Sequence, residues 1–285
     1  MALANDGLGC TPRLIPLANR IVWSGQSVSV IVPCYRESRL IGRTLARIPY
    51  WVDRIHAVDD GSDDGTSDAI LAIGDPRIEL VRHATNQGVG AAIASGYRRA
   101  IELGSDLLVV MAGDNQMDPE DLPQLLGPLV QGDAEYTKGN RFLHRDRRRM
   151  PRARRLGGAL LSFATRCATG LAVSDSQCGY TALRASAARR LPLTTIWPRF
   201  GYPNDLLGMM AARGIAVRDV VVRPIYADEQ SGIRPWHFMV VLFVILRRLL
   251  LDRAASGRRV ASRSRLKDPD TSKPLTATAE SMHAE

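Results

Sequence analysis

Short apolar runs alternate with stretches of helical spacing along most of the chain. Val28-Ser29-Val30-Ile31-Val32 is β-branched and is stopped by Pro33, which predicts a first strand. Helical spacing follows over Leu40–Ile48, then a second strand over Ile55–Val58 and a helical segment reaching Ile73. Ile78–Val81 reads as a third strand, and Asn86-Gln87-Gly88-Val89-Gly90 opens an Ala-rich helix that runs to Glu102. Leu107–Met111 is the fourth strand. Asp118 is placed to cap the next helix, with Pro119 at its first position. Beyond it the pattern predicts a strand at Ala134–Lys138, helices at Gly157–Leu171, Leu183–Leu191 and Leu206–Arg213, and a strand at Val217–Val222 ended by Pro224.

Strands that alternate with helices make an α/β fold with a mostly parallel sheet covered on both faces. In such sheets the ligand sits beyond the carboxyl ends of the strands. Three predicted ends bring Tyr35 and Glu37, Asp59 and Asp60, and Asp114 and Gln116 to one rim, and the fifth adds Lys138-Gly139-Asn140-Arg141. A carboxylate at Asp114 with Gln116 two residues on suits a hard divalent cation that also holds phosphate oxygens. The competing reading is an ordinary capped turn, since Asp-rich turns are common.

Composition changes this picture in three places. The 285 residues are 45% hydrophobic and 24% charged, enough for a full core, and the net charge is +9 with pI about 9.9. That balance points to a polyanionic partner. The arginines at 145, 147, 148, 149, 152, 154 and 155 are the densest basic stretch, read either as a solvated loop or as a phosphate- and headgroup-binding one. They lack the interleaved aromatics of a nucleic-acid binder, so no nucleic-acid partner is expected. Cys10, Cys34, Cys167 and Cys178 have no metal-type spacing, which suggests a reducing compartment. The apolar run within 234–252 is too short and too basic at its end to span a bilayer. It reads as an amphipathic helix at a membrane interface, or else as a packed or dimer-forming helix that would make a homo-oligomer. The expected organisation is therefore a flexible arm at 1–26, a catalytic domain at 27–233, the interfacial helix at 234–252 and a disordered basic tail at 253–285.

Five segments in order resemble a known family. They are Ile31–Glu37, Val58–Thr66, Asn86–Ala92, Asp114–Asp121 and Lys138–Arg141. Together they are similar to family-2 glycosyltransferases of the GT-A fold, most of all to the polyprenol-phosphate sugar transferases, which include dolichol-phosphate mannosyl- and glucosyltransferases. The resemblance implies a nucleotide-sugar donor (UDP- or GDP-linked) and Mg²⁺ or Mn²⁺. It assigns Pro33, Tyr35, Glu37, Asp59 and Asp60 to base and ribose, and Asn86, Gly88, Asp114 and Lys138 to the rest of the donor. Asp114 and Gln116 become the metal ligands, and Arg141 a phosphate contact. Two departures stand out: Ala112 replaces the first acid of the usual Asp-x-Asp, and Tyr226 is followed by Asp228-Glu229 where an arginine is usual in the mannosyl branch.

On the acceptor side the resemblance points to Asp175 and the Gln177-Cys178-Gly179-Tyr180 turn. Asp205, beside Asn204, is a base candidate, although either residue also reads as a helix cap. The expected reaction is inverting transfer of a sugar to polyprenyl phosphate by an enzyme lying peripherally on the cytoplasmic face of the membrane, an anionic surface. A phosphate acceptor is already anionic and needs positioning more than a strong base. The alternative is the same chemistry on a soluble hydroxyl or glycan acceptor, for which Asp205 would matter greatly.

Overall fold

The computed structural model describes Trp23, residues 25–225 and residues 239–251. Its centre is a seven-stranded sheet. The strands are β1 (Val28–Cys34), β2 (Arg54–Asp59), β3 (Ile78–Arg82), β4 (Leu107–Val110), β5 (Tyr136–Asn140), β6 (Thr181–Arg184) and β7 (Val217–Val221), in the spatial order β3-β2-β1-β4-β6-β5-β7. Every pairing is parallel except those that β6 makes with β4 and β5. All seven residues of β1 are buried, as expected for a central strand covered on both faces. Its alternation sorts the core: Val28, Val30 and Val32 pack on one face, Ile31 on the other.

The first face is closed by α1 (Ile41–Ala46), α2 (Thr66–Leu71) and α4 (Leu122–Gln131); the second by α3 (Val89–Glu102), α6 (Ala185–Ala188) and α7 (Tyr202–Ala211). A long helix, α5 (Arg152–Thr169), crosses outside this unit, and residues 239–251 form a further helix against it through Leu161, Val241 and Ile245.

Two elements differ from the pattern-based expectation. Thr181–Arg184 is a strand rather than the start of a helix at Leu183–Leu191, and only Ala185–Ala188 is helical there. Its four residues are shaped by pairing between β4 and β5, a contact that local spacing does not carry. β5 starts two residues later than Ala134 and runs on to Asn140, so Lys138, expected as the last residue of the strand, lies in its middle, and Gly139 and Asn140 lie within it. The expected arm at 1–26 falls, save for Trp23 and residues 25–26, outside the described residues; so do Cys10, Tyr226, Asp228, Glu229 and the tail at 253–285.

Candidate active site

Register fixes which strand ends meet. Cys34 faces Asp59 across β1 and β2, and Ile31 faces Val110 across β1 and β4, so the loops after these strands open on one rim. β5 runs the same way as β4, because each pairs antiparallel with β6. The reversal of β6 has a chemical consequence: its entering turn, Gln177–Tyr180, lies on the rim where the other strands exit. Asp60 and Asp114 thus share an edge. Asp114, Gln116, Met117, Arg141, Gly179, Tyr180 and Arg223 line one cleft there.

The 114–118 turn is built to present its carboxylate. Asp114 accepts from the Gln116 amide at 3.0 Å, and Asn115 takes a left-handed φ of 59°, a conformation Asn tolerates. Arg47 ties the turn down, donating to Asn115 Oδ1 at 3.0 Å and Asp118 Oδ1 at 3.2 Å. Asp118 caps the Pro119–Asp121 turn by accepting from Glu120 N, as its sequence position predicted. Among the described residues no cluster of three His, Cys, Asp or Glu side chains forms a metal cage. The donor set of Asp114 and Gln116 nevertheless suits a cation that takes few protein oxygens and completes its shell with substrate phosphates and water, as Mg²⁺ does.

Both carboxylates of the Asp-Asp turn are hydrogen-bonded within the protein. Buried Asp59 accepts from Ser62 N at 2.9 Å and from the Ser67 hydroxyl. Buried Asp60 accepts from Gln87 N at 2.9 Å and Gly88 N at 2.7 Å, and contacts His83 Nδ1 at 2.7 Å. These carboxylates shape the 61–66 and 86–90 turns from within. A shallow depression beside them is lined by Gly61, Ser62, Arg82, His83 and Ala84. Across the turn from it, Tyr35 is half exposed and Arg36 pairs with Asp63 at 2.7 Å. Glu37 N donates to Thr66 Oγ1 at 2.9 Å, joining the two loops, and Pro33 is buried in β1. Asn86 accepts from Arg199 at 3.4 Å. Gly88 and Gly90 lie against the backbone of Trp197 and Pro198, where an added Cβ would sit 2.4 Å and 2.1 Å from a carbonyl oxygen.

The remaining sequence-predicted residues separate into cleft and core. Arg141 borders the cleft and grips Asp175 through two donors at 2.8 and 3.0 Å. Burial pushes the Asp175 carboxyl up, but the charge and hydrogen bonds of Arg141, with Lys138 nearby, hold it below the ordinary range. Lys138 is fully buried under the cleft and donates to the Cys178 carbonyl at 2.5 Å; burial lowers its pKa. That placement goes with its position in the middle of β5, a strand buried along its whole length. Asp205 is wholly buried, accepting from Trp197 N at 2.9 Å and Arg248 Nε at 2.8 Å, with Arg247 at 3.8 Å. Burial raises the thiol pKa of both Cys34 and Cys178, so neither is poised as a thiolate. The residue that sequence reasoning missed is Arg223, which lines the cleft and lies 3.6 Å from Asp118. Its signal was its place just after a strand parallel to β5.

Outside the cleft an apolar surface is exposed. Leu156, Leu160 and Phe163 face outward from α5, and Met239, Leu242, Phe243, Leu246 and Leu250 from the 239–251 helix. Among the described residues no helix is long and apolar enough to cross a membrane. The arginines at 247 and 248 turn inward to Asp205 rather than away from the protein.

A mostly parallel sheet with a carboxylate turn at its exit edge and a basic cleft beside it is the arrangement that the resemblance to GT-A glycosyltransferases leads one to expect. The family model for glycosyl transferase family 2 matches residues 29–191, and the chain belongs to that family. It is 27% identical over 240 residues to the UDP-N-acetylglucosamine–dolichyl-phosphate N-acetylglucosaminyltransferase of Methanococcus voltae, covering 79% of this chain and 95% of the relative. It is 31% identical over 218 residues to the undecaprenyl-phosphate mannosyltransferase of Micrococcus luteus, covering 72% and 88%. In fold it is similar to glucosyl-3-phosphoglycerate synthase of Mycobacterium tuberculosis in complex with UDP (TM-score 0.62, 22% identity, 81% and 82% covered).

Proposed function

We propose that this glycosyltransferase moves a sugar from a nucleoside-diphosphate sugar to polyprenyl phosphate at a membrane surface, with inversion at the sugar carbon. The observation that carries the reading is the meeting of Asp114, Gln116, Arg141 and Arg223 in one cleft, on the rim that also bears the Asp60 turn. Relatives named for transfer to dolichyl and undecaprenyl phosphate support the acceptor class. An acceptor phosphate oxygen attacks the anomeric carbon, the bond to the donor's diphosphate breaks, and the nucleoside diphosphate leaves with the electron pair. Arg141, held rigid by Asp175, and Arg223 attract the phosphate charges into line. A Mg²⁺ or Mn²⁺ ion held by Asp114 and Gln116 would neutralise charge on the departing diphosphate. Asp205, the base candidate for a soluble hydroxyl acceptor, is held in a buried ion pair away from the cleft lining, whereas a phosphate acceptor needs no such base. The arginines at 145, 147, 148, 149 and 152 are exposed just before and at the start of α5, whose outward face is apolar, which suits an anionic lipid surface.

The test is a panel of UDP- and GDP-sugars with polyprenyl phosphate and Mg²⁺ or Mn²⁺, read as labelled lipid product. A product of inverted anomeric configuration that disappears on chelation is expected. Asp114→Asn should lower turnover on the order of a hundredfold. Transfer only to water-soluble hydroxyl compounds would reject the acceptor assignment.

A further inference from the structure

The 86–90 turn is held from two sides. On the sheet side Asp60 accepts from Gln87 N and Gly88 N. On the other side a short strap, residues 197–199, lies across it. The Pro198 carbonyl accepts from Gly90 N at 2.7 Å and Ala91 N at 3.3 Å, and Arg199 donates to Asn86. These amides open α3, so the strap occupies donors that a helix start would otherwise leave unsatisfied.

The strap is itself latched. Trp197 N donates to Asp205 Oδ2, while the other oxygen of that carboxylate receives Arg248 from the 239–251 helix. Arg247 lies 5.7 Å from the Trp197 ring centre, and Phe243 meets the same ring edge-on at 6.1 Å. Asp205 is fully buried and Arg248 nearly so. Withdrawing the helix would strand a buried carboxylate, which makes docked and undocked arrangements discrete rather than graded.

We propose that Arg248 is a positioning residue for sugar transfer: docking of the 239–251 helix on Asp205 sets, through the 197–199 strap, the shape of the 86–90 turn. This rests on the reading that the turn borders the bound nucleotide sugar.

The experiment compares the full-length chain with Arg248→Gln and Arg248→Lys, by amide hydrogen exchange and by titration with UDP and with GDP in the presence of Mn²⁺. In Arg248→Gln, exchange should rise in peptides covering 86–91 and 197–199 while β1 and β4 stay protected. Nucleotide affinity should fall on the order of tenfold. Arg248→Lys, which keeps the charge, should recover most of both. General loosening would raise exchange throughout the sheet and would overturn the proposal, as would unchanged affinity with the helix undocked. Should Arg248→Gln not fold, Phe243→Ala, on the exposed face, should raise exchange at the same two segments; no change there also overturns it. A wild-type chain that binds neither nucleotide would instead remove the donor-site reading on which the proposal stands.

Discussion

Asp175 and Asp205 are buried carboxylates of the same chemistry with different work. The first fixes an arginine that faces the cleft; the second fixes a helix. Asp175→Asn would leave Arg141 without its countercharge, and a loss of about 3 kcal/mol in stability is expected, measured as a lower urea midpoint. His56 gives a pH signature. It is buried in β2, where burial lowers its pKa, and the nearby Glu79 only partly opposes this. Its folded pKa lies below the unfolded value of about 6.5, so the unfolded chain binds more protons as pH falls. Stability should therefore be full above about pH 6.5 and decline on acidification toward the folded pKa. His56→Leu should flatten that part of the profile, checked by urea unfolding at a series of pH values.

At the scale of elements, Lys138 shows what a strand boundary is worth. Read as the last residue of a strand, it pointed to phosphate; in the middle of β5 its ammonium meets the Cys178 carbonyl. Lys138→Met should therefore alter thermal stability while changing the donor's KM less than about threefold, a margin near the noise of side-chain truncation away from a ligand. The parallel half of the sheet was legible because β1, β2 and β4 are apolar runs that give way to polar turns, and their order alone put Asp59, Asp60 and Asp114 on one rim, although β1 runs through Pro33 to Cys34 rather than stopping at it. The antiparallel β6 was not, because Thr-Ala-Leu-Arg has no period of its own and becomes a strand only between two neighbours. The roles of Gly88 and Gly90 were also hidden. A glycine-rich turn suggests a phosphate cradle, yet here the missing side chains make room for residues more than a hundred positions away.

For the whole molecule, the basic patch and the two apolar helix faces lie on neighbouring elements, so charge and apolar contact should act together at a membrane. Vesicles containing anionic lipid should bind the protein more tightly than neutral ones, with binding weakened by salt. Replacing Arg148 and Arg149 with Gln should reduce that affinity by roughly 1 kcal/mol per charge removed, measured by cosedimentation. The meeting of Trp197, Arg247 and Phe243 has a further use. An indole wedged between a cation and a second ring is a built-in optical gauge: its emission should redden and become quenchable by iodide when the C-terminal segment lifts away, reporting in real time, without any label, which posture the enzyme holds.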